Sequence, residues 1–205
     1  MTQPWPDWTG ETAVVVATGP SAADVDLKPA KGKARFLAIK DGWRLCPWAD
    51  LLYGCDGLWW QQHNGVPAYE GQRATYAPDI VKRWPGFLKV DVGSARDMRL
   101  MFDKIGLVGW GGHSGFHAIN LAMQFGAKRL VLVGFDMRVD RGKHFFGSHK
   151  YAEARPNEQT VKLWQQVLDA QAPLIASRGV EVINCSPVSA LRAYPKASFD
   201  EAVFD

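Results

Sequence analysis

Between Asp136 and Lys150 the chain collects side chains that can do chemistry. Asp136, Arg138, Arg141, Lys143, His144, His149 and Lys150 fall within fifteen residues, and only Asp140 offsets the cations. An imidazole changes charge near neutrality and can take a proton from a hydroxyl. Guanidinium and ammonium groups can neutralise a phosphate or carboxylate. The segment follows a continuous apolar run at 130–133, bounded by Gly126 and Gly134 and too short for a helix. That run reads as a strand buried on both faces. In an open α/β sheet the site lies outside the carboxyl ends of the strands. A buried strand that empties into a cationic, histidine-bearing loop therefore predicts a site for an anionic ligand.

Two further stretches suit the same ligand. Residues 12–17 form a strand-like run, followed at once by Thr18-Gly19-Pro20-Ser21. Ser21, with Asp24 three residues on, predicts an N-cap and a capping-box-like pair, and the N–H groups of such a start favour a phosphate. The turn is neither the six-residue dinucleotide fingerprint nor a P-loop, so a plain β–α turn accounts for it equally well. Residues 106–115 are the richest glycine stretch. They run into a largely apolar segment, 116–125, that suits a buried helix ending at Gly126. Ser114 is the expected N-cap, which would turn its hydroxyl and the N–H of Gly115 toward a ligand. The alternative is that these glycines only permit a tight loop over the sheet.

The elements that must hold these residues alternate in kind. Strands are predicted at 36–39, 51–55, 73–76, 87–92 and 180–185. A helix is predicted from Asn157 to about Ser177, kinked or ended by Pro173, and a short helix near the C-terminus. Several strands end in polar or glycine-bearing turns, among them Lys40-Asp41-Gly42 and Asp56-Gly57. This predicts an α/β fold: a Rossmann-like, doubly wound, mostly parallel sheet with helices on both faces. With no internal repeat or linker, residues 1–205 read as a single nucleotide-binding domain. Residues 1–11 form an irregular lead-in, and 137–150 a lid-like basic loop.

Composition narrows the class. A net charge of +3 is too small to argue for a nucleic-acid partner. Three cysteines, odd in number and without metal-type spacing, suit a reducing cytoplasm. No basic-then-apolar leader is present, nor a run of eighteen apolar residues, so no membrane span is predicted and the expected location is cytoplasmic. Most of the nine tryptophans are assigned to packing. His113 and His117 are four apart, but His113 precedes the expected helix. No cysteine or carboxylate stands at zinc-type spacing, so no metal site is predicted.

Four blocks together resemble the bacterial lipooligosaccharide sialyltransferases, and the related hydroxymethylpterin-diphosphokinase-like domains that share their first loop. They are Val15-Val16-Ala17-Thr18-Gly19-Pro20-Ser21; Ser114-Gly115 with its helix; residues 130–136; and His144-Phe-Phe-Gly-Ser-His149 with the helix and strand beyond it. The resemblance implies a Rossmann-like sheet holding a cytidine monophosphate-type sugar donor as co-substrate, with no tightly bound cofactor. It places Thr18, Gly19, Ser21, Ser114 and Gly115 at the nucleotide; Pro20 in the same turn, with Asp56 and Asp136 at the strand ends, completes the expected nucleotide-binding set. His149 is the nearest match to the family's base, with Ser148 inserted before it. His144 is the second histidine, and Arg138, Arg141 and Lys143 would neutralise the leaving phosphate. The chain departs from the family in having Ala17-Thr18 where the family has Gly-Asn. It also lacks the two lid tyrosines between Asp136 and His144.

Three classes remain open. One is a transferase using a nucleotide-activated donor. Another is a magnesium-dependent pyrophosphokinase acting on a pterin-like alcohol through Asp56 and Asp136. The third is a non-catalytic nucleotide-binding module. The expected partner is a small nucleotide or nucleotide sugar, and a homo-oligomer is compatible with the sequence. Short stand-alone chains of this kind are often phage-borne.

Overall fold

β-Branched and aliphatic residues dominate the strands. Thr12–Val16 (β1), Arg35–Ile39 (β2), Leu51–Tyr53 (β3) and Arg129–Val133 (β8) are nearly all buried, as expected of strands covered on both faces. The computed structural model describes residues 4–147 and 156–205. With Gln72–Thr75 (β4), Leu88–Lys89 (β5) and Glu181–Asn184 (β9), they form a seven-stranded sheet in the order β5-β4-β3-β2-β1-β8-β9. Every pairing in it is parallel. The predicted strand at 87–92 divides in two. Val90 separates β5 from Asp91–Val92 (β6), which leaves the main sheet to pair with Leu107–Val108 (β7).

Alternating strand residues feed two cores. On one face Ala13, Val15, Leu37, Leu51, Leu130 and Leu132 pack against Ser114–Gln124 (α3), Glu158–Asp169 (α4) and Ala172–Ser177 (α5). On the other, Val14, Val16, Phe36, Leu52, Val131 and Val133 meet Gly57–Gln62 (α1), Pro78–Arg83 (α2) and Phe199–Phe204 (α6). The doubly wound architecture is therefore as predicted. The long helix expected from Asn157 is two: Asn157 caps α4, and Pro173 opens α5, where its missing N–H costs nothing. Among the described residues, no helix is long and apolar enough to cross a membrane.

Candidate functional site at the carboxyl edge

Chain direction across the sheet reverses between β1 and β8. From β1 the chain proceeds to β2 on one side, and from β8 to β9 on the other. Such a switch point opens a crevice at the carboxyl ends. It is bordered here by Thr18-Gly19-Pro20-Ser21 after β1, and by Gly134-Phe135-Asp136 after β8.

These two ends are bonded to each other. Gly19 N–H donates to the Gly134 carbonyl at 3.0 Å. A Cβ on Gly19 would strike that same oxygen, so only glycine allows the approach. Ser21 donates twice to Asp136, from its N–H to Oδ2 at 3.0 Å and from its hydroxyl to Oδ1. Two expectations change as a result. Residues 20–24 form a 3-10 turn capped by Gly19 rather than a helix with Ser21 as N-cap. The donors expected to meet a phosphate meet the Asp136 carboxylate instead. Asp136 is itself buried, and the chain on either side of its peptide is held: Phe135 N–H donates to the Ser186 hydroxyl at 3.0 Å, and the Asp136 carbonyl accepts from Ala190 N–H at 2.9 Å.

The start of α3 lies on the same edge. Its N-cap is His113, whose Nδ1 accepts from Gly115 N–H at 3.1 Å; Ser114, the predicted cap, is the first helical residue. The Ser114 hydroxyl instead joins the end of β3, accepting from Cys55 N–H at 3.3 Å and donating to Cys55 Sγ at 2.8 Å. A Cβ on Gly115 would press on the Phe135 ring beyond β8. The helix start thus spans the strand ends from β3 to β8, and faces the same edge as the Thr18 turn.

Burial keeps the α3 histidines neutral. His113 stacks on Trp164 of α4, ring centroids 5.0 Å apart, and its buried Nε2 has no hydrogen-bond partner among the described residues. Desolvation pushes its pKa down to about 3, with help from His117 nearby. His117 is held between the Tyr53 hydroxyl and the Trp110 carbonyl, each at 2.7 Å, and burial lowers it to about 4. Acceptance from Gly115 leaves the proton of neutral His113 on Nε2. Donation to the Trp110 carbonyl likewise assigns the His117 proton to Nε2. Among the described residues no three His, Cys, Asp or Glu side chains come together as a metal site.

At the ends of β2 and β3, Lys40 pairs with Asp56. Lys40 holds a left-handed backbone, φ 46°, a conformation uncommon for a side chain of this size. Its neighbour Asp41 is buried, accepts from Trp59 Nε1 at 2.8 Å and pairs with Arg44 at 2.8 Å. Both carboxylates assigned to magnesium in the pyrophosphokinase reading are therefore engaged, Asp56 by Lys40 and Asp136 by Ser21.

The basic loop docks on the Thr18 turn. His144 Nδ1 lies 2.9 Å from the Thr18 hydroxyl, and Phe145 N–H donates to the Thr18 carbonyl at 3.0 Å. Phe146 lies under the Arg44 guanidinium, 5.7 Å from the ring centroid. Arg138 is bound to Asp140 at 2.6 Å and to the Val188 carbonyl at 3.1 Å, while Arg141 and Lys143 are exposed. His149 lies outside the described residues, as does Lys150. Sequence reasoning passed over His113 as a cap, because an imidazole acceptor is not among the usual N-cap side chains. It also passed over the Lys40–Asp56 pair, whose only signal was polar residues closing adjacent strands.

Solved structures share the fold of this chain. The sialyltransferase CstII from Campylobacter jejuni, solved in complex with a substrate analogue, cytidine-5'-monophosphate, superposes with a TM-score of 0.60 at 9% identity. The match covers 96% of this chain and 88% of that one. No family model matches the chain. No curated protein matches it. At such identity the likeness is one of fold, and it extends over nearly the whole chain.

Proposed function

We propose that this chain is a transferase using a nucleotide-activated sugar, sialyltransferase-like in its chemistry. The observation that carries the reading is the convergence of the Thr18 turn, the α3 start and the basic loop on the crevice between β1 and β8. The fold likeness to a sialyltransferase holding cytidine monophosphate supports a cytidine nucleotide as the first donor to test. In this reading Thr18, Ser114 and Gly115 contact the nucleotide, while Arg141 and Lys143 supply countercharge. Arg138 is less available, being spent on Asp140.

The acceptor hydroxyl oxygen attacks the anomeric carbon. The bond from that carbon to the phosphate oxygen breaks, and the nucleoside monophosphate leaves with the electron pair. His149 takes the hydroxyl proton, the role given to it by sequence resemblance. A nucleotide panel with and without magnesium, read by thermal shift, tests the reading. Cytidine monophosphate should raise the melting temperature in proportion to the logarithm of its concentration above Kd. No shift with any nucleotide or nucleotide sugar would remove it.

A further inference from the structure

We propose that the groove beyond β9 binds the anionic group of an acceptor saccharide, a carboxylate or a phosphate, through Arg192 and Lys196. The proposal rests on the transferase reading. The groove holds about 550 Å³ and is walled by Gln165 of α4 together with Ser189, Leu191, Arg192, Tyr194 and Lys196. That volume falls in the ordinary range for small-molecule sites, about 300–1,000 Å³. It adjoins the candidate site through the main chain. Ala190 N–H donates to the Asp136 carbonyl at 2.9 Å, and the Ser189 hydroxyl to the Phe135 carbonyl at 2.5 Å.

Its walls are fixed, and its two cations form no ion pair among the described residues. Gln165 Nε2 donates to the Ala190 carbonyl at 2.7 Å, and the Tyr194 hydroxyl to the Leu168 carbonyl at 2.6 Å. Lys196 Nζ is held by the carbonyls of Ser189 at 2.9 Å and Pro187 at 3.2 Å. Those partners are neutral, so the ammonium is placed without being neutralised. The Asp169 carboxylate accepts from the main-chain N–H groups of Arg192 and Ala193, at 3.0 and 3.1 Å, and its charge, felt at Tyr194, offsets part of the positive charge at this edge. Among the described residues neither Arg192 nor Lys196 forms an ion pair, although the two line one groove. Two cations on one groove wall, neither in an ion pair among the described residues, favour an anion, and a guanidinium beside an ammonium suits a carboxylate or phosphate equally.

Calorimetric titration of the full chain with N-acetylneuraminate, glucose 6-phosphate and neutral glucose tests this, with cytidine monophosphate titrated in parallel. At least one of the two anions should bind more tightly than glucose, and the stronger of them identifies the group recognised. Arg192→Glu, at an exposed side chain, should weaken that binding about tenfold and leave the nucleotide titration unchanged. Lys196→Met should weaken it as well. Equal binding of anions and glucose, or anion binding untouched by Arg192→Glu, overturns the proposal. So does nucleotide binding without anion binding. Anion binding without nucleotide binding keeps the groove and removes the transferase reading instead.

Discussion

Ser21 and Asp136 lie 115 positions apart in the chain, yet both the N–H and the hydroxyl of Ser21 end on the Asp136 carboxylate. The pair staples β1 to β8 where the sheet reverses direction. Asp136→Ala would leave two buried donors without an acceptor, at a cost of about 3 kcal/mol. Asp136→Asn keeps one acceptor and should cost about half as much. Urea unfolding of the three proteins gives the comparison, and equal stability of Asp136→Ala and the parent would refute the stapling role.

Acid should loosen the fold through His113 and His117. Both bind protons more weakly in the folded chain, at about 3 and 4 against 6.5 when unperturbed. Between pH 6.5 and 4 the unfolded chain therefore holds more protons than the folded one. The stability these imidazoles confer is complete above about pH 6.5 and drains away as pH falls, by up to about 1.4 kcal/mol per unit for each group. Unfolding midpoints at pH 7, 6 and 5 should show that decline, and His117→Gln should make it shallower.

Docking of the basic loop depends on Thr18. Thr18→Val removes the hydroxyl that meets His144 and keeps the carbonyl that holds Phe145. Trypsin should then cut after Arg141 or Lys143 several times faster than in the parent, as expected when local opening is easier. In the parent, saturating cytidine monophosphate should slow that cut. Mass spectrometry of timed digests reads both effects, and an unchanged cutting rate in Thr18→Val argues against the anchor.

The two histidines of the loop should separate by role. His149→Ala should lower turnover by about a hundredfold or more, with nucleotide affinity nearly intact, the ordinary weight of a general base. His144→Ala should act on binding, because His144 is tied to the Thr18 turn. If both variants turn over like the parent, the base assignment is wrong and a non-catalytic nucleotide-binding module becomes the better description.

Much of the sheet was legible because its strands announce themselves. The run 130–133 of β8 is apolar throughout, the pattern of a strand covered on both faces. Short elements were harder to see. Leu107–Val108 and Asp91–Val92 carry two residues each, too few for any periodicity, and they pair only because the chain returns between them. In the candidate site, Thr18, Ser114 and Asp136 were legible as residues that close neighbouring strands or open a helix. Their partners could not be read from the sequence. Ser21 seeks a carboxylate beyond its own turn, and the imidazole of His113 caps a helix next to a serine that propensity would have chosen. Both outcomes are set by contacts distant in the chain, where local preference has little weight.

The Asp136 staple also bears on selectivity. A carboxylate fixed against the donors of Ser21 is present at an effective concentration that free phosphate in solution does not match. The turn is in this sense already occupied by a piece of its own chain. Ambient anions then compete poorly for it. The same tether makes the turn a poor place to engineer a phosphate cradle, unless Asp136 is removed first.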